Sequence, residues 1–215
     1  MTMTFSLHDG IDSVGLLDRT DFSCFSAPVS CDTSHDEMHI LRDKLQMPDD
    51  DGLIERPRLS SLLMKSVKQF PATLISGRAR TGKTVLAANF AANFKLVCWY
   101  SIESADIAWQ VFSRYFSASL PGKPVSSLTE DTNENQAGQA EIAEFLVRNL
   151  PRLYGKAGQS SLIVLDDIHH IFDAPWFDDF FNLLLYSLPA ETHLLLLCRS
   201  RPPQRAGRSA PAKQQ

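Results

Sequence analysis

Nothing in this 215-residue chain approaches the run of about 18 consecutive apolar residues that a membrane-crossing helix needs; the apolar stretch Leu194 to Cys198 is only strand-sized. The start, Met1 to Gly10, lacks a basic segment followed by an apolar core, so no secretory signal is expected and the chain reads as cytoplasmic. With Gly 10 and Pro 12, collagen-like and Gly/Pro low-complexity architectures are excluded. The 4 cysteines, Cys24, Cys31, Cys98 and Cys198, match no zinc spacing. Cys98 and Cys198 sit inside apolar runs and read as small core residues, while nothing supports a disulfide between Cys24 and Cys31. No internal repeat and no helix-turn-helix pattern is present, so direct DNA binding is not expected.

The 44% hydrophobic and 21% charged residues are ordinary for a globular domain. Their distribution is not uniform. Residues 1–52 hold 11 acids against 3 bases, residues 53–199 hold 14 of each, and residues 200–215 hold 4 bases and no acid. We therefore expect an acidic, largely flexible head over 1–52, a folded domain over 53–199 and a basic Pro/Arg-rich tail over 200–215. The tail has no interleaved aromatics of the kind that stack on nucleic acid, and reads as a solvated end. In the head, Met38, Leu41 and Leu45 have the spacing of one short helical face.

From Pro57 onward, apolar runs alternate with helical periodicities. Leu59, Leu62, Leu63, Val67 and Phe70 mark a helix that Pro71 stops. Strands are expected over 73–76, 95–102, 161–165 and 192–198. Helices are expected over 83–94, over about 106–119, around Ile142 to Leu150, and after Asp173, which is placed to cap a helix with Pro175 just inside its start. Continuous apolar strands alternating with helices predict an α/β fold: a mostly parallel sheet covered on both faces, a three-layer sandwich.

Gly77-Arg78-Ala79-Arg80-Thr81-Gly82-Lys83-Thr84 fits the phosphate-binding loop G-x-x-x-x-G-K-[ST] at every fixed position, between an apolar strand and a helix. The glycines let the backbone curl so that its N–H groups face an anion, and the following helix turns its positive end to the same spot. Lys83 is placed to reach β- and γ-phosphates and the Thr84 hydroxyl to ligate Mg²⁺. The strand Leu162-Ile163-Val164-Leu165 ends in Asp166-Asp167. In a parallel sheet these acids meet the loop in one crevice, Asp166 as a metal ligand and Asp167 to orient or deprotonate a water. An acid pair at a strand end is otherwise a helix cap or a solvated turn. Arg199 ends the last strand; a strand lying between the loop strand and the acid strand would bring its guanidinium toward a γ-phosphate. His169 and His170 have no third ligand in view and read as packing or hydrogen-bonding residues, and Trp99, Trp109 and Trp176 as core.

Ile54-Glu55-Arg56-Pro57-Arg58-Leu59, the loop, Trp99-Tyr100-Ser101-Ile102, Asp166-Asp167-Ile168-His169, Leu188-Pro189 and Cys198-Arg199-Ser200-Arg201-Pro202-Pro203 follow one another in an order that resembles a known family. It is the nucleotide-binding P-loop NTPase domain of the large ATP-binding LuxR-type (maltose-regulon-activator-like) regulators, which are STAND ATPases. The likeness covers about residues 53–203. It implies Mg-ATP held by Gly77 to Thr84 and Asp166, slow hydrolysis supported by Asp167, Arg199 as an arginine sensor, and residues 56–58 near the adenine. It also implies ATP/ADP exchange coupled to signal transduction and transcription regulation, with a protein partner or self-association. The chain departs from the family in ending 16 residues after Arg199, where members continue through a fifth strand and further domains. A sheet lacking that last strand would leave the loop strand as an exposed edge. Arg78 and Arg80 stand where the family has small residues, free either to add charge near phosphates or to turn into solvent. Two other readings stay open: a small P-loop kinase or transferase, and a truncated, non-hydrolysing interaction fragment.

Overall fold

Pro57 opens helix α1 (Pro57–Gln69), where its fixed φ suits the first helical position, and Pro71 follows the helix end. The computed structural model describes residues 2–6, 41–48, 56–122, 137–153 and 160–200. Along the chain lie β1 (Thr2–Ser6), α1, β2 (Ala72–Ser76), α2 (Lys83–Ala91), β3 (Leu96–Ser101), α3 (Trp109–Ser119), α4 (Gln139–Asn149), β4 (Ser161–Asp166), α5 (Phe177–Ser187) and β5 (Thr192–Cys198). Every strand pair is parallel, in the order β1-β2-β5-β4-β3. The fold is α/β, with an all-parallel sheet flanked by helices.

Period-two alternation divides the strands' side chains between two cores. Ile75, Trp99, Leu162, Val164, Leu195 and Leu197 pack with Leu63 of α1 and with Leu86, Ala87, Phe90 and Ala91 of α2. Leu74, Cys98, Tyr100, Ile163, Leu165 and Leu194 face α3, α4 and α5. On that second side Trp109, Phe112, Phe116, Trp176 and Phe180 stack edge and face, with Phe112 and Trp176 at 4.5 Å between centroids. All three tryptophans are buried in these cores, as are Cys98 and Cys198, both free thiols.

Three features differ from the sequence expectation. The loop strand β2 is not an edge: β1 pairs with it in register, Thr2 with Ala72 through Ser6 with Ser76. A strand from the head thus covers the edge of β2. A second piece of the head also packs on the domain. Arg42–Leu45 forms a 3₁₀ turn rather than a helical stripe. There Lys44, buried, bonds Asp106 at 2.9 and 3.2 Å, reaches Glu103 at 3.0 Å and lies 4.7 Å above the Tyr115 ring. Met38 lies outside the described residues. Finally, Asp173 does not cap α5. The chain turns through Ile168–Ile171 and on through Ala174, whose carbonyl accepts from Phe177 N, so the helix starts at Phe177 with Trp176 at its N-cap. Trp176 is anchored there by its indole N–H, which donates to Ile107 O at 2.9 Å. The basic tail beyond residue 200 and most of the polar segment 121–136 lie outside the described residues.

Candidate functional site

The strands run in parallel, so their carboxyl ends gather at one end of the sheet. β2 ends at Ser76, β4 at Asp166 and β5 at Cys198, and β5 lies between the other two. Gly77 N still bonds Cys198 O at 3.2 Å, which ties the start of the glycine loop to the strand that carries Arg199. Beyond Gly77 the loop leaves the sheet. Arg78, Ala79 and Arg80 are exposed, Arg80 at φ 63° and Gly82 at φ 77° take left-handed backbone, and α2 begins at Lys83. Glycine is required at position 82: a Cβ there would be strained and would stand 3.1 Å from the Arg56 guanidinium. Thr81 closes the curl by donating its hydroxyl to Arg78 O at 2.9 Å. Arg56 braces it from outside, donating to Thr81 O at 3.1 Å.

Lys83 points back into this curl. Its ammonium is buried, 6% exposed, and donates to Gly77 O at 2.9 Å and Arg78 O at 3.0 Å. These partners are neutral carbonyls; among the described residues no carboxylate lies within ion-pair distance of it. Buried lysines are ordinarily paired with an acid. One residue on, the Thr84 hydroxyl donates to Asp166 Oδ2 at 2.7 Å, across 82 positions of sequence. Asp166 is 6% exposed, and its other oxygen accepts from Asp167 N at 2.8 Å. Burial pushes its carboxyl above the usual carboxylate range and the neighbouring Asp167 charge adds to this, while Thr84, the Asp167 amide and Lys83 oppose it.

Asp167 has φ 53°, an uncommon conformation for a residue with a side chain. It turns the carboxylate out of β4's line toward β5, where Arg199 grips it with both arms of the fork: Nε to Oδ1 at 3.0 Å and Nη2 to Oδ2 at 2.7 Å. The pair raises the Arg199 pKa, first through that hydrogen bond and then through the Asp167 charge. His169 Nδ1 lies 3.7 Å from Asp167 Oδ1, and the His169 ring rests on that of His170 at 4.2 Å. Burial, then the His170 and the more distant Arg199 and Lys83 charges, lower the His169 pKa, against a raising effect of Asp167.

Gly77 to Thr84, Asp166, Asp167 and Arg199 therefore come to one end of the sheet. Gly77 to Thr84 form the curl, Thr84 meets Asp166, and Arg199 meets Asp167. The sequence does not disclose two of the contacts made there. The forked bond between Asp167 and Arg199 spans 32 positions and follows only once β4 and β5 are neighbours. The brace from Arg56 to the loop spans 25. Thr84, Asp166 and Lys83 fit a magnesium-bound triphosphate by their chemistry: an oxygen pair for a hard cation that keeps waters and phosphate oxygens as its other ligands, beside a buried ammonium lacking an anion. Scanned against models of known protein families the chain matches none, and a search of curated proteins finds no significant relative.

Proposed function

We propose that the chain is an ATP-binding switch module of the LuxR-type STAND kind, working in the cytoplasm with Mg²⁺ and exchanging ATP for ADP. The buried Lys83 ammonium, hydrogen-bonded only to loop carbonyls among the described residues, carries this reading. A polyphosphate supplies the negative charge that such a lysine lacks, and the loop N–H groups with the start of α2 supply further donors.

Within this reading Lys83 leaves Gly77 O and Arg78 O for phosphate oxygens, and Thr84 and Asp166 hold the ion. Mg²⁺ held by Thr84 and Asp166 would supply charge neutralisation for the phosphates. Asp167 would orient the attacking water, and its pairing with Arg199 through both oxygens weakens it as an acceptor and base. Slow hydrolysis is expected on that account. Arg56, against the loop at Thr81, is placed to brace the bound form. The regulatory role, with a protein partner or self-association as output, rests on the sequence resemblance.

Differential scanning of the whole chain tests the reading. Mg-ATP at about a hundred times its dissociation constant stabilises a folded protein by about 2.7 kcal/mol, a rise of roughly 5–10 °C at this size. Lys83→Ala is expected to abolish that rise while the far-UV spectrum stays that of a folded α/β protein. A melting curve of the wild type that is unchanged by Mg-ATP would remove the reading.

A further inference from the structure

We infer that Arg199 and His169 hold Asp167 in turn: Arg199 masks the carboxylate while no triphosphate is bound, and His169 receives it when a terminal phosphate draws the guanidinium away. This deepens the nucleotide-switch reading and rests on it.

Three observations meet here. Arg199 engages both oxygens of Asp167, at 3.0 and 2.7 Å, so while the fork stays closed one lone pair of each oxygen is taken and the carboxylate's charge is paired, which lowers its strength as an acceptor for a water. The guanidinium is half exposed and sits at the end of the strand next to the loop strand, so it can swing without disturbing the core. His169 Nδ1 is fully buried and has no hydrogen-bond partner among the described residues, yet it lies 3.7 Å from Asp167 Oδ1. That is just beyond hydrogen-bond length. A buried ring nitrogen without a partner is costly to keep, and the Asp167 oxygen within 3.7 Å of it is the one that Arg199 Nε engages.

Neutral imidazole with its proton on Nδ1 is sufficient to donate to Asp167. The groups facing His169 favour the neutral form: burial and the positive charges of His170, Arg199 and Lys83 act against protonation, with Asp167 alone acting for it. His170 backs the ring at 4.2 Å and limits its retreat. The 3₁₀ turn Ile168–Ile171, with Ile168 and Ile171 buried, fixes the backbone from which His169 projects. Asp167, at φ 53°, sits between the two partners, and a small rotation of its carboxylate would exchange one for the other. A diphosphate lacks the group that competes for Arg199, so it leaves the fork closed. Arg199 and Asp167 thus set the preference for triphosphate as a pair, and His169 is a positioning residue that acts through Asp167.

The test is a double-mutant cycle on the full chain, titrated with Mg-ADP and with the Mg complex of a non-hydrolysable β,γ-imido ATP analogue. Asp167→Asn frees Arg199, and Asn tolerates left-handed backbone. It is expected to raise the preference for the triphosphate analogue over ADP about tenfold. Arg199→Ala brings that preference near unity, and adding Asp167→Asn to it changes the preference by less than about twofold. An equal gain from Asp167→Asn with and without Arg199 overturns the masking, because mere loss of negative charge predicts that result. For His169, the Nδ1 nitrogen resonance (assigned by its absence in His169→Gln) is expected to move with the triphosphate analogue and not with ADP. Movement with both, or with neither, overturns the transfer. Failure of the folded wild type to bind either nucleotide overturns the switch reading and this one together, whereas binding without these differences removes the hand-off alone.

Discussion

At the amino ends of the strands, Ser66 of α1, Thr73 of β2 and His193 of β5 form a closed chain of hydrogen bonds. Ser66 Oγ lies 2.6 Å from Thr73 Oγ1, Thr73 Oγ1 lies 2.8 Å from His193 Nε2, and His193 Nδ1 lies 3.0 Å from Phe70 O. All three side chains are buried and both ring nitrogens are engaged. At the carboxyl ends, about 15–20 Å away in a strand of this length at about 3.3 Å per residue, lie a buried lysine and a histidine nitrogen that have, among the described residues, no acid and no hydrogen-bond partner respectively, together with a desolvated carboxylate and two non-glycine residues at positive φ. Both ends bury polar groups; only one leaves them incomplete. Polar burial that is fully satisfied holds a core in register, while the incomplete and strained polar burial at the other end is what the proposed nucleotide site rests on.

Substitutions should separate the two ends. The largest effect on stability is expected at the satisfied end. His193→Ala removes both hydrogen bonds and leaves a cavity, and should cost about 3 kcal/mol in chemical denaturation. The same residue makes stability depend on pH. Burial lowers its pKa from 6.5 to about 4, with the Phe70 carbonyl partly opposing this. The unfolded chain therefore binds a proton in that window and the folded chain does not. Stability is complete above pH 6.5 and falls on acidification through that window, by about 3 kcal/mol from this residue at pH 4. His193→Gln should flatten that part of the profile relative to wild type; a histidine that titrates normally in the native state, read by its ring proton shifts, would contradict it.

At the incomplete end the expected costs are smaller. Gly82→Ala forces a side chain into φ 77° and against Arg56, and should cost about 1–2 kcal/mol together with weaker nucleotide binding. Asp167→Asn comes last: at φ 53° Asn is accommodated, and stability should change by less than about 0.5 kcal/mol while phosphate release from bound ATP falls. If Asp167→Asn destabilised the fold as much as His193→Ala, the acid would be structural and the contrast between the ends would fail.

How much of this was legible beforehand follows the same division. The glycine loop could be read because its chemistry is contiguous, from Gly77 to Thr84, and the acid pair because it closes an apolar strand. The placement of β5 between β2 and β4 agrees with what the role of Arg199 required. Contacts between distant residues were not legible. Thr2 to Ser6 alternates Thr, Met, Thr, Phe and Ser, a strand-like signal too short to stand out in an acidic segment, and its partner begins 70 residues later. Lys44 reads as one base among acids, and only the fold brings Asp106 and Glu103 around it. The unmet nitrogen of His169 had no sequence signal, since a missing partner is a property of the packing. Asp173 and Pro175 had the right chemistry for a helix start and lost to the burial of Trp176, which sets where α5 begins.

Lys83, Thr84 and Asp166 are proposed to form one polyphosphate and magnesium site. Calorimetric titration of ATP into the whole chain, with Mg²⁺ and again with the metal chelated, tests it most directly. One ATP per chain, bound at least about tenfold more tightly with Mg²⁺ than without it, is the expected result. Absence of binding heat under both conditions, or an affinity indifferent to the metal, would contradict it.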